Sequence, residues 1–396
     1  MTISNDKIIE LAKKMHPTQI KWRRHFHQYP ELSNLEFNTT AFIKKELKKR
    51  RIKILPLNMP TGLAAQIGNK GKTTAAIRTD IDALPVTEQN KIPFKSKIDG
   101  VMHACGHDMH IATVLGTTII LNKLKKELPG IVKILFQPAE EKPPGGAFEM
   151  LKAGVFKNPK IDMIFGLHVD TTLPTGKISL RDGPTMAAVI DFDIHIKGKG
   201  GHAARPHDTI DAIAVVSELV GSIQKIASRE IDPMKPVVIT FGKISGGTTR
   251  NVIADKAILH GTARTLSPDS LKRLPALIKR TANGICKARG ASCRVDFIAS
   301  YPVVNNSAST NKILAKSYTD LFGKNRITET EAVMGGEDFA YYLQKAPGAM
   351  FRLGTRNKKI GSVNPWHYPN FMADEESIFY GTSLLVKAVL DYLNKK

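Results

Sequence analysis

Six side chains that can bind metal ions or transfer protons stand at predicted strand ends or in polar loops of the sequence. Thiolate, imidazole and carboxylate groups together suit zinc, with manganese or cobalt as alternatives where the site is less soft. The pattern therefore favours a metal-dependent reaction. The six residues are Cys105 and His107 in GVMHACGHDMH, Glu140 and Glu141 in LFQPAEE, His168 in GLHV, and His367 in NPWHYPNF.

The adjacent acids Glu140 and Glu141 are the most informative of these residues. One carboxylate can bind a metal ion while its neighbour, which points in another direction, takes a proton from a bound water. Glu140 also has a plainer interpretation, as an acid favoured by the dipole at the start of a helix. Cys105 likewise has one, as a small buried hydrophobic residue. The other predicted ligands favour the catalytic interpretation of Glu140.

The segments that carry these residues alternate between strand-like and helix-like patterns, which is typical of a mainly parallel sheet flanked by helices. Apolar, β-rich runs predict strands at TGLAAQIG, TTAAIRTD, GIVKILFQ and IDMIFGLHV, and MHIATVLGTTIILNKLKKEL predicts a helix. Ligands bind outside the carboxyl ends of such strands. We therefore expect an α/β catalytic domain with its chemistry at those ends.

The pattern changes from about Asp191 onwards. DFDIHIKGK alternates apolar and polar residues strictly, and the following segments predict helix, strand, strand, helix and strand. The order βαββαβ is that of a ferredoxin-like sandwich. We therefore expect a lid or dimerisation domain at 185–301, inserted between two parts of the catalytic domain at 1–184 and 302–396.

The motifs resemble, in order along the chain, those of the aminoacylase, carboxypeptidase and hippurate hydrolase family of dinuclear metallopeptidases. The resemblance extends from Trp22 to the last helix. It is closest to the branch with a cysteine ligand, which contains archaeal thermostable carboxypeptidases and auxin-conjugate amidohydrolases. The motifs are RRHFHQYPELS, IRTDIDALPVTE, GVMHACGHDMH, LFQPAEE, GLHV, KGKGGHAARPHDTIDAI, RNVIADKAILHGTARTL, VMGGEDFAYYL and the late His-x-Pro-x-Phe.

This resemblance implies a site for two divalent metal ions, with Cys105 as the ligand that bridges them. His107 and His168 would complete the coordination of one ion. Glu141 and His367 would complete that of the other. Two such ions carry more positive charge than one thiolate and one carboxylate neutralise. The excess positive charge lowers the pKa of a shared water.

The implied activity is hydrolysis of an amide next to a free amino-acid carboxylate, so that N-acyl amino acids are the substrates. Glu140 would be the general base, which takes the proton of the attacking water and gives it to the leaving amine. A carboxypeptidase that acts on short or N-blocked peptides is the alternative. It differs only in that the acyl side of the cleaved bond is a peptide rather than a simple acid. A catalytically silent binding protein is disfavoured because the base and all five ligands are present.

Further site residues are implied beyond the metal ligands. His202 would reach the site of a partner subunit and stabilise the oxyanion, which implies a homodimer or a higher homo-oligomer. Arg264 and Asn251 would bind the substrate carboxylate, which a guanidinium fork suits, and Gly336 would line the pocket. Without the resemblance, His202 is a surface-turn residue and Arg264 an ordinary charge on a strand face.

Asp80 and Asp82 in RTDIDALP leave two interpretations open. In an extended chain they point the same way, and Asp82 would then hold the outer nitrogen of a ligand histidine. Turn chemistry before Pro85 explains them equally well. His110 is expected to pack on its helix rather than to face the site, and His27 to pack in a wall of the fold.

Composition limits the class of protein further. The chain has 396 residues, of which 42% are hydrophobic, and this excludes disorder. Its net charge of +22 invites a nucleic-acid interpretation, but the densest run, KKELKKRR, ends a helix pattern and no nucleic-acid motif accompanies it.

Three cysteines favour a reducing compartment. Without a signal sequence or a long apolar stretch, we expect a cytoplasmic protein with neither nucleic-acid nor membrane partners.

Overall fold

The computed structural model describes residues 3–68, 70–298 and 301–394. The chain divides into two compact units, which we call the first unit and the second unit. The first unit comprises Met1–Gly183, Asn305–Glu331 and Asp338–Lys396, and the second comprises Pro184–Val304 and Ala332–Glu337. Within the described ranges, none of the helices combines the length and the apolar character that a bilayer crossing requires.

Helices and strands are numbered here in chain order. Among the described residues the helices are α1 Asn5–Gln28, α2 Phe37–Lys49, α3 His107–Lys123, α4 Gly146–Lys152, α5 Ala212–Arg229, α6 Pro268–Ala288, α7 Ala308–Phe322, α8 Ala340–Leu343 and α9 Ser377–Asn394. The strands are β1 Lys53–Leu55, β2 Leu63–Ile67, β3 Thr74–Asp80, β4 Ile131–Gln137, β5 Met163–Pro174, β6 Ile178–Ser179, β7 Gly183–Met186, β8 Ala188–Lys197, β9 Gly201–His202, β10 Val237–Gly246, β11 Val252–Ile253, β12 Lys256–Thr265, β13 Ser292–Phe297, β14 Val304–Asn306, β15 Ile327–Thr328 and β16 Gly348–Arg356.

The first unit is built on a sheet whose described strands follow the order β1-β2-β4-β3-β5-β16-β6-β15. Its centre is parallel, since β4, β3, β5 and β16 pair side by side in one direction. Every residue of β3 and β4 is buried, as expected of central strands covered on both faces. One apolar cluster joins α1, α3, α7 and α9 to this sheet. The predicted α/β class with a mainly parallel sheet is confirmed.

The second unit has the ferredoxin-like order β8-α5-β10-β12-α6-β13. Its sheet is antiparallel and has the strand order β10-β12-β8-β13. Phe192, Ile194 and Ile196 of β8 are buried in one cluster with the apolar residues of α5 and α6. This burial explains the strict alternation of that strand, because only one of its faces meets helices. The expected βαββαβ sandwich is thus present.

The segment Ala332–Glu337 belongs to the second unit although it comes much later in the chain. The N–H of Val333 donates to the main-chain oxygen of Thr185 at 3.0 Å, and the N–H of Ala187 donates to that of Gly335 at 2.9 Å. These bonds fix the position of the segment beside the start of β8.

Candidate active site

The first unit brings together all six residues that the sequence singled out for metal and proton chemistry. Their donor atoms form overlapping groups in which every atom lies within 4.8 Å of the others. Three such groups are Cys105, His107 and His168; Cys105, Glu141 and His367; and His107, Glu140 and Glu141. Because Cys105 and Glu141 each recur, the groups form one continuous site rather than three separate ones.

A tight turn at the start of α3 places two of these residues. Gly106 has φ +85°, and a Cβ added there would lie 2.5 Å from the side chain of Val169. Only glycine takes this backbone conformation and this close approach without strain. The Cys-Gly-His spacing is therefore dictated by the turn, which presents Cys105 just before α3 and His107 as its first residue.

The ring of His107 is held by Asp82. Its Nδ1 lies 2.9 Å from the main-chain oxygen of Asp82 and 3.3 Å from the carboxylate. Its Nε2 lies 3.8 Å from Oε1 of Glu141. This Nε2 is buried and has no hydrogen-bond partner among the described residues. The contact is the one required by the first interpretation of Asp82, in which the aspartate orients a ligand histidine.

The loop that carries both acids is fixed by side chains distant in sequence. The N–H of Glu141 donates to the Asp82 carboxylate at 3.0 Å, and Ser33 donates to the same oxygen at 2.7 Å. Glu36 accepts the N–H of Ala139 at 2.7 Å, where Ala139 has φ +49°. Glu36 was not singled out from the sequence, because this contact joins residues 103 positions apart.

His168 and His367 approach the site from two further segments. His168 donates from Nδ1 to the oxygen of Val169 at 2.8 Å, which leaves its Nε2 3.5 Å from the sulfur of Cys105. Trp366 packs edge-on against the His168 ring, with the ring centroids 4.8 Å apart. His367 has φ +66°, and its Nε2 lies 3.6 Å from Oε1 of Glu141.

The electrostatics of the site favour a bound cation. Burial raises the pKa of Cys105 well above its usual value, and the neighbouring acids Glu141 and Glu140 raise it further. Burial likewise raises the pKa of Glu141 to about 7. For His107 burial lowers the pKa, but the carboxylates led by Asp80 outweigh it and raise the value to about 10. The raised pKa values mean that these three side chains retain their protons to higher pH. Each retained proton occupies a position where a positive charge is favoured.

The donor set fits divalent metal ions. Cys105, His107 and Glu141 supply a sulfur, a nitrogen and a carboxylate oxygen that converge with two further imidazoles. Nε2 of His107 and Oε1 of Glu141 are buried without hydrogen-bond partners within the described part of the chain. Burial lowers the pKa of His168 and of His367, which favours the neutral imidazole that can bind a metal.

His110 takes part in the support of the site. Its Nδ1 donates to Asp80 at 2.7 Å, and its Nε2 accepts the N–H of Val169 at 2.9 Å. The expectation that His110 packs on its own helix was therefore incomplete, because it links β3 to the segment that carries His168. Arg78 in turn contacts Asp80 at 2.7 Å.

A buried charge network that the sequence did not reveal lies beside the start of α3. Arg23 is 2.8 Å from the carboxylate of Asp108, which also contacts Nδ1 of His27 at 2.8 Å. Nε2 of His27 contacts Glu88 at 3.1 Å. His27 therefore lies in a wall of the fold, as expected, but as a member of an ion-pair network rather than as a packing residue.

The remaining predicted residues lie in the second unit, in two pairs. His202 pairs with Val252 in a short ladder, and the main-chain oxygen of Asn251 accepts the N–H of Ala203 at 3.1 Å. Arg264 donates to the oxygen of Met334 at 3.4 Å. A Cβ at Gly336 would lie 3.8 Å from Nη1 of Arg264, so Gly336 lies beside this guanidinium.

Comparisons with known proteins identify the family. The model of peptidase family M20/M25/M40 matches residues 76–391. Thermostable carboxypeptidase 2 of Saccharolobus solfataricus is 39% identical over 395 residues, 98% of this chain and 99% of that protein. N-acetylcysteine deacetylase of Bacillus subtilis is 39% identical over 368 residues, 92% of this chain and 94% of that protein.

A solved structure supports the same family assignment. The crystal structure of a Bacillus subtilis dinuclear metal binding peptidase from the M20 family shares 35% sequence identity and superposes with a TM-score of 0.85, covering 97% of this chain and 99% of that chain. The chain belongs to peptidase family M20/M25/M40, which confirms the family resemblance of the motifs. It is a hydrolase that acts on amide or peptide bonds.

Proposed function

We propose that this protein hydrolyses N-acyl amino acids with two divalent metal ions bound in the first unit. The observation that carries the proposal is the convergence of Cys105, His107 and Glu141 with two further imidazoles directly beside Glu140. Cys105 is the proposed bridging ligand because it belongs to both three-residue groups that contain a sulfur. His107 and His168 would complete the coordination of one ion, and Glu141 and His367 would complete that of the other.

The proposed ions are zinc, with manganese or cobalt as alternatives. A sulfur, three imidazoles and a carboxylate form a borderline-soft donor set, which supports this choice. When bound, the ions act as Lewis acids that polarise the scissile carbonyl and make a water molecule more acidic.

Glu140 is the proposed general base. It is buried at the site and its carboxylate lies within 4.8 Å of the donor atoms of His107 and Glu141. It takes one proton from the attacking water as the new C–O bond forms. It then gives that proton to the nitrogen as the C–N bond breaks, so that a carboxylic acid and an amino acid leave.

The second unit is proposed to serve two sites. His202 accepts the N–H of Ala204 at Nδ1, 3.1 Å away, so its Nε2 carries the proton and can donate to an oxyanion. His202 and Asn251 precede β12, whereas Arg264 stands near its far end, about 26 Å along the strand from Lys256 at some 3.3 Å per residue. One small substrate does not span that length.

This separation supports our proposal of a dimer. We propose that Arg264 and Gly336 bind substrate in the subunit's own site, where the guanidinium fork holds the carboxylate. His202 and Asn251 then act in the site of a second copy of the chain. The edge strands β10 and β13 of the sheet in the second unit offer surfaces for a two-fold contact.

Carboxypeptidase activity on short peptides is the second candidate. Of the two relatives described above, one is named a carboxypeptidase and the other a deacetylase of an N-acetylated amino acid. Both reactions cut an amide next to a free carboxylate, so one site suits either, and the acyl pocket decides between them.

A substrate panel on protein of assayed metal content tests the proposal. Acetyl-, benzoyl- and benzyloxycarbonyl-amino acids and unblocked dipeptides are compared by kcat/KM. The control for each substrate is the same compound with its free carboxylate converted to an amide. We expect the N-acyl amino acids to be cleaved fastest and the carboxylate-free controls to be poor substrates. Faster cleavage of unblocked dipeptides would favour the carboxypeptidase instead.

A further inference from the structure

A second pocket lies in the first unit, away from the candidate active site. It is open to solvent and has a volume of about 590 Å³. Five cationic side chains line it, and no acidic residue does. We call it the basic pocket. Its cations are Arg51, Lys53, Lys70, Lys125 and Lys126.

Strand β4 separates the two sites. Leu128, which lines the basic pocket, precedes this strand, and Glu140 follows it. Seven residues of strand at about 3.3 Å each span roughly 23 Å. The basic pocket is therefore not an extension of the substrate site, and what binds there does not meet the hydrolytic residues.

The frame of the basic pocket is fixed by main-chain structure. Arg51 has φ +53° and its N–H donates to the oxygen of Lys48 at 2.9 Å, which ends α2. The amide of Asn122 donates to the oxygen of Arg50 at 3.1 Å and ties the end of α3 to the same turn. The segments that bear the cations are thus held together before any ligand arrives.

The charges of the basic pocket are uncompensated. Neighbouring Arg50 is paired with Glu46 at 2.7 Å, but the five cations make no ion pair with any described residue. Two helix C-termini, α2 and α3, contribute about half a negative charge each. Five full positive charges outweigh them, and a concave surface of one sign concentrates counter-ions of the other.

We infer that the basic pocket binds a short chain of phosphates. Guanidinium and ammonium groups bind phosphate oxygens strongly, and a triphosphate carries charge comparable to the surplus. No aromatic side chain lines the pocket, so a nucleobase finds no stacking surface. The volume lies in the small-molecule range. The phosphate chain itself, free or as part of a nucleotide, is the recognised group.

Calorimetric titration of the metal-loaded enzyme with inorganic triphosphate tests this inference. The variant Lys53→Gln/Lys125→Gln/Lys126→Gln removes three charges from the basic pocket. The control Lys13→Gln/Lys312→Gln/Lys345→Gln removes three exposed charges elsewhere in the first unit. We expect one triphosphate per chain, at least about tenfold weaker binding in the pocket variant and little change in the control. Amide hydrolysis, assayed in parallel, stays intact in both variants and shows that they fold and keep their metal.

Four other outcomes would overturn the inference. The first is the absence of saturable binding, which would leave Lys53 as an edge-strand charge that only prevents strand pairing. The second is equal weakening in both variants, which would indicate a general effect of net charge. The third is much tighter binding of ATP than of triphosphate, which would show that the base is recognised. The fourth is much tighter binding of single-stranded RNA that depends on the same lysines, which would identify a nucleic-acid surface.

Discussion

Asp82 accepts the N–H of Glu141 at 3.0 Å with its carboxylate, while its main-chain oxygen lies 2.9 Å from Nδ1 of His107. One residue therefore fixes a proposed ligand of each metal ion. Because imidazole orientation and basicity depend on the group at the outer nitrogen, Asp82 is a positioning residue for the whole site.

Removal of that carboxylate is expected to weaken metal binding. Asp82→Ala should lower metal affinity by roughly 10- to 100-fold, the usual scale for residues that orient ligands. Competition with a chromophoric chelator measures this directly, and excess metal should restore most of the activity. Unchanged affinity in a folded Asp82→Ala protein would assign Asp82 to turn chemistry alone.

Metal removal is expected to abolish hydrolysis. Dialysis against a chelator should leave inactive protein, and zinc, cobalt or manganese should each restore activity, because the water needs a Lewis acid. Metal content by atomic emission should reach two ions per chain in the active form. Full turnover by protein proven to be metal-free would refute the proposed mechanism.

Substitution of Glu140 and substitution of Glu141 are expected to impair different steps, catalysis in one case and metal binding in the other. Glu140→Gln should keep both metal ions and lose about a hundredfold or more in kcat, the scale of general-base catalysis. Glu141→Gln should instead lose metal and regain part of its activity at high metal concentration. Metal content and kcat of the two variants serve as mutual controls, and the reverse pattern would mean that the two roles are exchanged.

Stability of the first unit is expected to depend on pH through His27. Burial lowers the pKa of His27, but the charge of Asp108 and the hydrogen bonds to Asp108 and Glu88 together outweigh it, so the folded value lies above 6.5. Its stabilisation is therefore complete below about pH 6.5 and is lost as pH rises through the folded pKa. Urea unfolding of chelator-treated protein, followed by the fluorescence of Trp22 and Trp366, should show this decrease.

His27→Gln provides the comparison for that pH dependence. The substitution should make the fall in unfolding free energy above pH 6.5 less steep. The part that remains comes from His107, whose pKa the surrounding carboxylates raise to about 10. His207→Gln, at an exposed histidine of the second unit, should leave it unchanged. An identical pH profile in the His27→Gln protein would place the titrating group elsewhere.

Local patterns predicted the elements well because they depend on short-range rules. The apolar, β-rich runs correspond to β3, β4 and β5, and the strict alternation around Phe192 corresponds to β8 of the second unit. Metal-binding residue types at predicted strand ends likewise indicated which side chains converge. Gly106 shows why the spacing is informative, since the turn itself requires it.

Contacts between distant segments were beyond such patterns. Met350 of β16 lies opposite Gly166 of β5, and β2 runs antiparallel to β4. Neither pairing has a signal in the residues concerned, because an apolar strand suits either direction. The ion pair between Arg23 and Asp108 was also beyond local patterns. Taken alone, Arg23 suits a surface charge and Asp108 suits an acid at the start of a helix.

The proposed exchange of His202 between subunits predicts that two inactive proteins complement each other. One carries His202→Ala and the other Glu140→Gln, and they are mixed under conditions that let subunits exchange. A mixed dimer then holds one site with both an intact base and an intact partner histidine. Activity should return to at most about one working site per mixed dimer, with His202 stabilising the oxyanion there.

The geometry of the second unit makes this test decisive, because His202 precedes β12 and Arg264 stands near its far end. Each homodimer alone should stay inactive after the same treatment, and exchange is verified by mass spectrometry of differently tagged subunits. A second mixture, of Arg264→Ala with Glu140→Gln, is the matched control. If Arg264 serves its own subunit, this mixture should recover no activity. Each mutation then inactivates the site of the chain that carries it, so a mixed dimer holds no intact site. Recovery with Arg264→Ala but not with His202→Ala would reverse the two assignments.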